Sequence, residues 1–201
     1  MNFSYQTIAN PVEEISFKEK GSKFIGYAFP VLDEDEIKEN LIQLWQKYPD
    51  ATHICYAFRL GIGGERYRAN DDGEPSGSAG LPIYNQIISK EITNVLVCSV
   101  RFYGGTKLGV AGLVKAYKLS AQMVLDDAEI VEKHLTQKVR FEFSYENQGS
   151  VMRNIDKFNA EVLQTEFTEN CVVLVRAKME NLESFLSSFE PLYQVKVQVL
   201  E

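Results

Sequence analysis

A nearly unbroken run of apolar and β-branched residues, NVLVCSVRF at positions 94–102, limits the fold of this chain more than any other segment. A strand covered on one face alternates apolar and polar residues, whereas a strand covered on both faces is continuously apolar. After a glycine-rich turn, the apolar residues recur at the spacing of an amphipathic helix: Val110, Leu113, Val114, Tyr117, Ala121 and Val124. The sequence therefore predicts a strand inside a sheet, with a helix following it.

The residues before this run predict a mixture of strands and helices. Residues 13–31 are typical of two strands around a tight turn. Asp33 and Glu36 have the spacing of a capping box, which predicts the start of a helix. Residues 52–60 and 65–70 indicate a second hairpin, and a short helix follows the polar loop DDGEPSGSAG. This mixture predicts the α+β class.

The order of elements changes near residue 130. From Thr136 onward the pattern indicates strand, helix, strand, strand, helix, strand, with the two middle strands meeting at a turn over residues 169–171. This is the order of the ferredoxin-like βαββαβ unit, which folds as a small two-layer sandwich. The sequence therefore predicts two domains, residues 1–132 and residues 133–201.

The composition is typical of a soluble globular protein. Hydrophobic residues make up 45% and charged residues 24% of the 201 positions. No apolar run reaches the roughly 18 residues that a membrane helix needs. The N-terminal segment lacks the basic and then apolar layout of a secretory signal. These features predict a cytoplasmic protein that does not bind a membrane.

The cysteines and histidines give no sign of a metal or redox site. Cys55, Cys98 and Cys171 lie far apart among apolar residues, which favours buried thiols over a disulfide. His53 and His134 have no metal-ligating neighbours at a suitable spacing. We therefore expect no metal and no cofactor, and the sequence assigns no catalytic residue.

The glycine-rich turn after the buried strand has the parts of a phosphate site. The first amides of a helix lack partners within the helix, and the helix dipole adds a partial positive charge there. Gly104, Gly105 and Gly109 would let an anion approach these amides, while Thr106 supplies a hydroxyl and Lys107 a cation. The segment does not match a P-loop. A plain turn between a strand and a helix is the alternative interpretation.

The charge pattern also favours a site in this region. The formal net charge of −7 means that a polyanion could bind only at a local basic surface. Between residues 92 and 125 no Asp or Glu occurs, and the basic residues are Arg101, Lys107, Lys115 and Lys118. The predicted nucleic-acid contacts are Arg101, Tyr103, Lys107 and Lys115, with Arg66 and Arg68 extending the surface. A solvated helix face is the alternative interpretation of Lys115 and Lys118.

The acidic loop DDGEPSGSAG is a second candidate site. Asp71, Asp72 and Glu74 place three carboxyl groups within four residues, a set that could hold a divalent cation or act as acid and base. The alternative is structural: the Asp side chains bond nearby backbone, and Ser76 or Ser78 caps the next helix. The sequence leaves both interpretations open.

Four stretches carry a family resemblance: KGSKFIGYAFPV, ATHICYAFRLG, NDDGEPSGSAGLPIYNQI and TNVLVCSVRFYGGTKLGVAGLVKAY. They resemble the Impact/YigZ family over about residues 15–125. The resemblance implies that the first domain has the two-layer fold of the second domain of ribosomal protein S-five, and that the tail is the ferredoxin-like domain of bacterial members. The family's motif carries over in two loops, which contain Asp71, Asp72, Gly73, Glu74, Pro75, Ser76 and Gly77 in one and Tyr103, Gly104, Gly105, Thr106, Lys107 and Gly109 in the other.

Three functions remain open at this stage. The leading hypothesis is a non-catalytic protein that binds RNA or the ribosome and regulates translation, as the resemblance implies, with a translation-regulatory protein as a further partner. The alternative is an enzyme that acts on a phosphorylated small molecule or a peptide through the acidic loop. A third reading is an interaction module whose acidic surface meets a basic partner. The sequence does not decide among them, nor does it give the oligomeric state.

Overall fold

The computed structural model describes residues 3–168 and 170–200. The chain divides into two compact units, of which the first is essentially Ser4–Lys133 and the second begins at His134. In the described residues, no helix combines the length and the apolar character needed to cross a membrane.

The first unit is built on a five-stranded antiparallel sheet. Its strands are β2 (Val12–Glu19), β3 (Ser22–Pro30), β4 (His53–Leu60), β5 (Arg66–Asn70) and β6 (Val95–Phe102), in the order β2-β3-β6-β4-β5. Strand β6 lies at the centre, and its first seven residues are buried. The prediction of an interior strand is therefore confirmed. A separate two-stranded sheet pairs β1 (Ser4–Ile8) with β7 (Ile130–His134).

Helices cover both faces of this sheet. Helices α2 (Gly80–Ser89) and α3 (Gly109–Asp127) pack with one hydrophobic cluster, which includes Ile83, Leu113 and Tyr117. Helix α1 (Glu34–Lys47) packs with a second cluster through Ile37 and Leu44. The α+β class is confirmed. The resemblance implies two layers, and α1 adds a third because its apolar residues pack on the face of the sheet opposite α2 and α3.

Local signals fix the ends of two elements in this unit. The hairpin between β2 and β3 turns at Lys20 and Gly21, which have φ values of 46° and 82°. The side chain of Asp33 accepts from the backbone N–H groups of Asp35 and Glu36, each over 2.9 Å, and so caps α1 as the sequence predicts. The carboxyl of Glu36 accepts from the N–H of Leu32 over 2.7 Å, and this bond completes the cap.

The second unit has the expected order of elements. These are β8 (Thr136–Phe143), α4 (Gln148–Lys157), β9 (Glu161–Phe167), β10 (Cys171–Lys178), α5 (Leu182–Ser187) and β11 (Lys196–Leu200). The strands form one sheet in the order β11-β8-β10-β9, which is the ferredoxin-like arrangement. Its core includes Phe141, Ile155 and Phe185. The turn expected over residues 169–171 includes Glu169, which lies outside the described residues.

Candidate functional site

The predicted turn and the acidic loop meet at one end of the five-stranded sheet. Arg101, near the end of β6, is paired with Phe24 of β3 on one side and with His53 of β4 on the other. The chain then turns into α3. The loop after β5 reaches the same end of the sheet and brings Glu74 against Arg101.

A buried ion pair joins the two loops. The Nη1 atom of Arg101 donates to Oε1 of Glu74 over 2.5 Å, and the two side chains are only 6% and 5% exposed. The hydroxyl of Tyr117 on α3 donates to the same oxygen over 2.8 Å, and Nε2 of His53 lies 3.9 Å from it. Burial is the main cause of a raised pKa for Tyr117, so its hydroxyl stays protonated and remains a donor. The pair therefore ties the acidic loop to both β6 and α3.

Arg101 has a structural role in this arrangement. Its guanidinium lies over the rings of Phe24 and Tyr103, at 5.5 Å and 5.6 Å from their centroids. Its Nη2 atom donates to Oγ of Ser22 over 3.3 Å. The charge of Arg101 is buried and matched by Glu74, so it is not free to bind phosphate. The sequence, in contrast, predicts Arg101 as a phosphate contact.

Gly104 is needed for close packing against the hairpin between β2 and β3. A Cβ atom at this position would lie 1.9 Å from the carbonyl carbon of Gly21, in the turn between β2 and β3. The N–H of Gly104 donates to Oγ of Ser22 over 3.2 Å. The glycine therefore holds the turn after β6 against the neighbouring hairpin.

The rest of the turn faces solvent. Gly105 and Gly109 have φ values of 84° and 70°, and a Cβ atom at either would meet nothing within 4 Å. Thr106 and Lys107 are exposed between them. No residue in 3–168 or 170–200 makes a hydrogen bond or ion pair with the ammonium group of Lys107. This corner combines open backbone with an unmatched cation.

Helix α3 begins at this corner without a cap. Its 19 residues start at Gly109 with no side-chain hydrogen bond at the N-cap and no acidic residue in the first turn. Val110, expected on the buried stripe, is 58% exposed, whereas Leu113 and Tyr117 of the same stripe are buried. Lys115 is exposed one turn further along the helix. The first amides of α3 are therefore available to an anion.

Asp71 caps α2 and is not a free carboxylate. Its Oδ1 atom accepts from the N–H groups of Ala79 and Gly80 over 3.0 Å and 2.8 Å, and Oδ2 accepts from Gly77 over 2.8 Å. Burial raises the pKa of Asp71, but these three donors together outweigh it, so the net pKa lies below 3.8. The sequence expected Ser76 or Ser78 in this role, but Ser76 is exposed and Ser78 donates to the carbonyl of Pro75 over 2.5 Å.

Asp72 is also engaged with backbone. It has a φ value of 44°, its Oδ2 atom accepts from the N–H of Ile54 over 2.6 Å, and its carbonyl oxygen lies 2.6 Å from Nδ1 of His53. Within the described ranges, no group of three or more His, Cys, Asp or Glu side chains could hold a metal ion. Of the three acidic residues in the loop, only Glu74 faces the turn after β6.

A cavity lies between the two loops. It has a volume of about 440 Å³, and its lining includes Glu74 and Pro75 from one loop and Arg101, Tyr103, Lys107 and Val110 from the other. Apolar atoms form most of its wall, whereas the Arg101–Glu74 pair supplies polar atoms. The two loops are therefore close enough to contact a single ligand.

Arg66 and Arg68 are not part of this corner. Arg68 is paired with Phe58 of β4. Phe58 is paired in turn with Leu96 of β6, which lies five residues before Arg101. A strand rises about 3.3 Å per residue, so Arg68 lies roughly 16 Å along the sheet from Arg101, and Arg66 lies further away. Arg66 is also 3.7 Å from a carboxyl oxygen of Glu34. The surface expected to include both arginines is thus split between two ends of the sheet.

Two residues of the site have roles that sequence reasoning missed. The sequence places Tyr117 on the apolar stripe of α3 and gives its hydroxyl no role. A buried tyrosine hydroxyl needs a hydrogen-bond partner, and this requirement could have indicated the contact with Glu74. Ser22 is fully buried and accepts from both Arg101 and Gly104. No local pattern marks Ser22, because both of its donors are about 80 residues away in sequence.

These features define a protein with a helix-covered antiparallel sheet that carries a two-loop site, together with a ferredoxin-like unit. The chain belongs to the family of the Impact N-terminal domain, whose model matches residues 20–125. The family prediction is therefore confirmed.

Relatives match well beyond that domain. IMPACT family member YvyE of Bacillus subtilis is 30% identical over 170 residues, which cover 85% of this chain and 78% of that protein. IMPACT family member YigZ of Escherichia coli is 26% identical over 183 residues, which cover 89% of this chain and 88% of that protein.

A solved structure shares the fold of this chain. One described as a hypothetical protein has a TM-score of 0.72 and 23% identity, and the match covers 100% of this chain and 99% of that chain. The two-domain translational regulator Yih1 matches at 20% identity with a TM-score of 0.40, and the match covers 61% of this chain and 48% of that chain.

Proposed function

We propose that this protein is a non-catalytic, cytoplasmic regulator of translation that binds RNA through phosphate contacts at the corner between β6 and α3. The observation that carries the proposal is the exposed, unmatched ammonium group of Lys107 beside the uncapped first turn of α3. An ammonium group and free helix amides together form a strong site for a phosphate oxygen.

The charge distribution supports a local site on an acidic protein. The net charge of −7 opposes binding of RNA over the whole surface. Glu74, whose carboxylate faces this turn, is already matched by Arg101. Lys107 and the exposed Lys115 therefore act on a bound phosphate without cancellation from Glu74.

A salt titration of RNA affinity tests the proposal. We expect the affinity for single-stranded RNA to fall as salt rises, because each phosphate contact releases counterions. Replacing Lys107 and Lys115 together by alanine should weaken binding and reduce the slope of log affinity against log salt by about 1.4, at roughly 0.7 per contact for single strands. The readout is fluorescence anisotropy of a labelled RNA at several salt concentrations.

A matched variant controls for net charge. Lys138 and Lys157 are exposed lysines of the second unit, and replacing both by alanine removes the same charge elsewhere. We expect this double variant to keep the wild-type slope. An affinity that does not change with salt, or that survives the loss of Lys107 and Lys115, contradicts the proposal.

An enzyme is the second candidate, because the two motif loops share a cavity of about 440 Å³ that could hold a phosphorylated small molecule or a peptide. Its acidic group would be Glu74, since Asp71 and Asp72 are bonded to backbone. Incubation with phosphorylated metabolites and phosphopeptides, followed by phosphorus NMR, tests for turnover. A new phosphorus signal that depends on protein concentration would favour the enzyme over the binding protein.

A further inference from the structure

Resting on the proposed RNA contact, we infer that the cavity between the two loops takes one unpaired base of the bound RNA and prefers a base with an exocyclic amino group, such as cytosine. The cavity of about 440 Å³ is within the range of pockets that hold small organic groups. It opens beside Lys107 and Gly109, which lie at the proposed phosphate site. The base would therefore lie in the cavity while its own phosphate binds at the neighbouring site beside Lys107.

The walls of the cavity suit a flat apolar face. Tyr103 is 47% exposed and Val110 is 58% exposed, and both line the cavity together with Leu108 and Pro75. Unpaired bases stack on exposed aromatic side chains, and this stacking is a main source of affinity for single-stranded RNA. A free inorganic anion would leave these apolar walls in water.

Two polar atoms of the Arg101–Glu74 pair have no hydrogen-bond partner among the described residues. The donors to Glu74 converge on Oε1, and no described residue donates to Oε2, although the side chain is only 5% exposed. The Nε atom of Arg101 is buried and has no acceptor in the described chain. An unpaired carboxylate oxygen at the cavity wall favours a ligand that supplies a donor, whereas Nε of Arg101 is too deeply buried for a ligand to reach.

The edge of an amino-bearing base provides this donor. Cytosine carries an amino donor next to ring and carbonyl acceptors, and carboxylates are known to accept from that amino group. Uracil is similar in size and shape, but its one donor on this edge, N3–H, lies between two carbonyl oxygens, and these oxygens would face the carboxylate of Glu74. A lipid or aliphatic ligand would leave Oε2 of Glu74 without a donor. In a duplex the edge is already used by the opposite strand, so the base must be unpaired.

The test compares RNA octamers of cytosine and of uracil, and the cytosine octamer paired with its complement. We expect the single-stranded cytosine octamer to bind at least about fivefold more tightly than the uracil octamer, and more tightly than the duplex. Tyr103→Ala should weaken binding of the cytosine octamer by about tenfold and bring it close to the uracil octamer. Tyr103→Phe keeps the ring and should keep the preference.

Two controls separate this inference from the phosphate contact. Lys107→Ala should weaken both octamers and leave their ratio unchanged, because the lysine contacts the phosphate only. Tyr193→Ala removes a tyrosine that is 97% exposed in the second unit, and should change neither affinity nor ratio. Thermal unfolding of each variant confirms that it is folded.

Several outcomes overturn the inference. Equal, salt-dependent affinity for the two octamers, or equal affinity for the duplex, removes the base pocket and leaves the proposed phosphate contact standing. Cytidine monophosphate that binds as tightly as the octamer would assign the cavity to a free nucleotide instead. If the protein binds no RNA at all, both the base pocket and the proposed function are contradicted.

Discussion

At the scale of single residues, Glu74 connects the fold to the site. Its buried carboxylate accepts from Arg101 and Tyr117, so the acidic loop, β6 and α3 are joined at one oxygen atom. Removing one partner of a buried ion pair leaves the other charge without compensation, whereas exposed pairs contribute little to stability. The variants below use this difference.

We predict that Glu74→Gln lowers the free energy of unfolding by about 3 kcal/mol, because the guanidinium of Arg101 loses its buried counter-charge. The matched control is Glu161→Gln, which breaks an exposed pair with Arg176 that is 2.8 Å long. That change should cost less than about 1 kcal/mol. Urea unfolding followed by fluorescence measures both. A loss below about 1 kcal/mol for Glu74→Gln would show that the buried pair is not a main support of this corner.

At the scale of elements, the start of α2 depends on Asp71. We predict that Asp71→Asn destabilises the protein by about 1 kcal/mol at pH 7, because the amide cannot accept all three backbone hydrogen bonds. The pKa of Asp71 is lower in the folded protein than its usual value of 3.8, since its backbone donors outweigh burial. The stabilisation is therefore complete above pH 3.8 and is lost as the pH falls through the lower folded value.

Urea unfolding of the wild type and of Asp71→Asn at pH 7, 5 and 3 tests this prediction. The difference between them should be similar at pH 7 and 5 and smaller at pH 3. Asp127→Asn changes an exposed carboxyl of the same type and should alter stability by less than about 0.5 kcal/mol. A difference that grows as the pH falls would contradict the capping role.

The turn after β6 allows a second comparison between neighbouring positions. Gly104→Ala should cost about 3 kcal/mol, because the added Cβ atom meets the backbone of Gly21 at 1.9 Å. Gly105→Ala has open space and should cost only about 1–2 kcal/mol for its positive φ. Thermal unfolding of both variants gives the order. An equal or larger loss at Gly105 would show that the hairpin does not hold the turn.

The elements themselves follow from the sequence more readily than the site does. The continuous apolar strand β6, the cap at Asp33 and the βαββαβ order are local patterns, and the structure has all three. The pairing of Glu74 with Arg101 joins residues 27 positions apart, and no spacing rule predicts such a contact. The sequence predicts Arg101 as a phosphate contact for the same reason. The burial of Arg101 depends on strands and loops that are distant along the chain, so no local pattern reveals it.

At the scale of the whole molecule, we propose that the two compact units are separately folding domains, with a boundary near residues 133–134. Each has its own hydrophobic core and its own sheet. We predict that residues 1–134 and residues 135–201, produced as separate proteins, each fold and unfold cooperatively. Circular dichroism during urea unfolding tests this. A piece that lacks a cooperative transition would show that the units depend on one another.

The measurement that tests the central claim most directly is an amide NMR titration of the full chain with single-stranded RNA at low salt. The account predicts shifts concentrated in the turn and first turn of α3, at residues 105–112, and little change at Arg66 and Arg68. These shifts should disappear when salt is raised, as expected for phosphate contacts. Shifts confined to the second unit or to β5, with residues 105–112 unchanged, would contradict the claim.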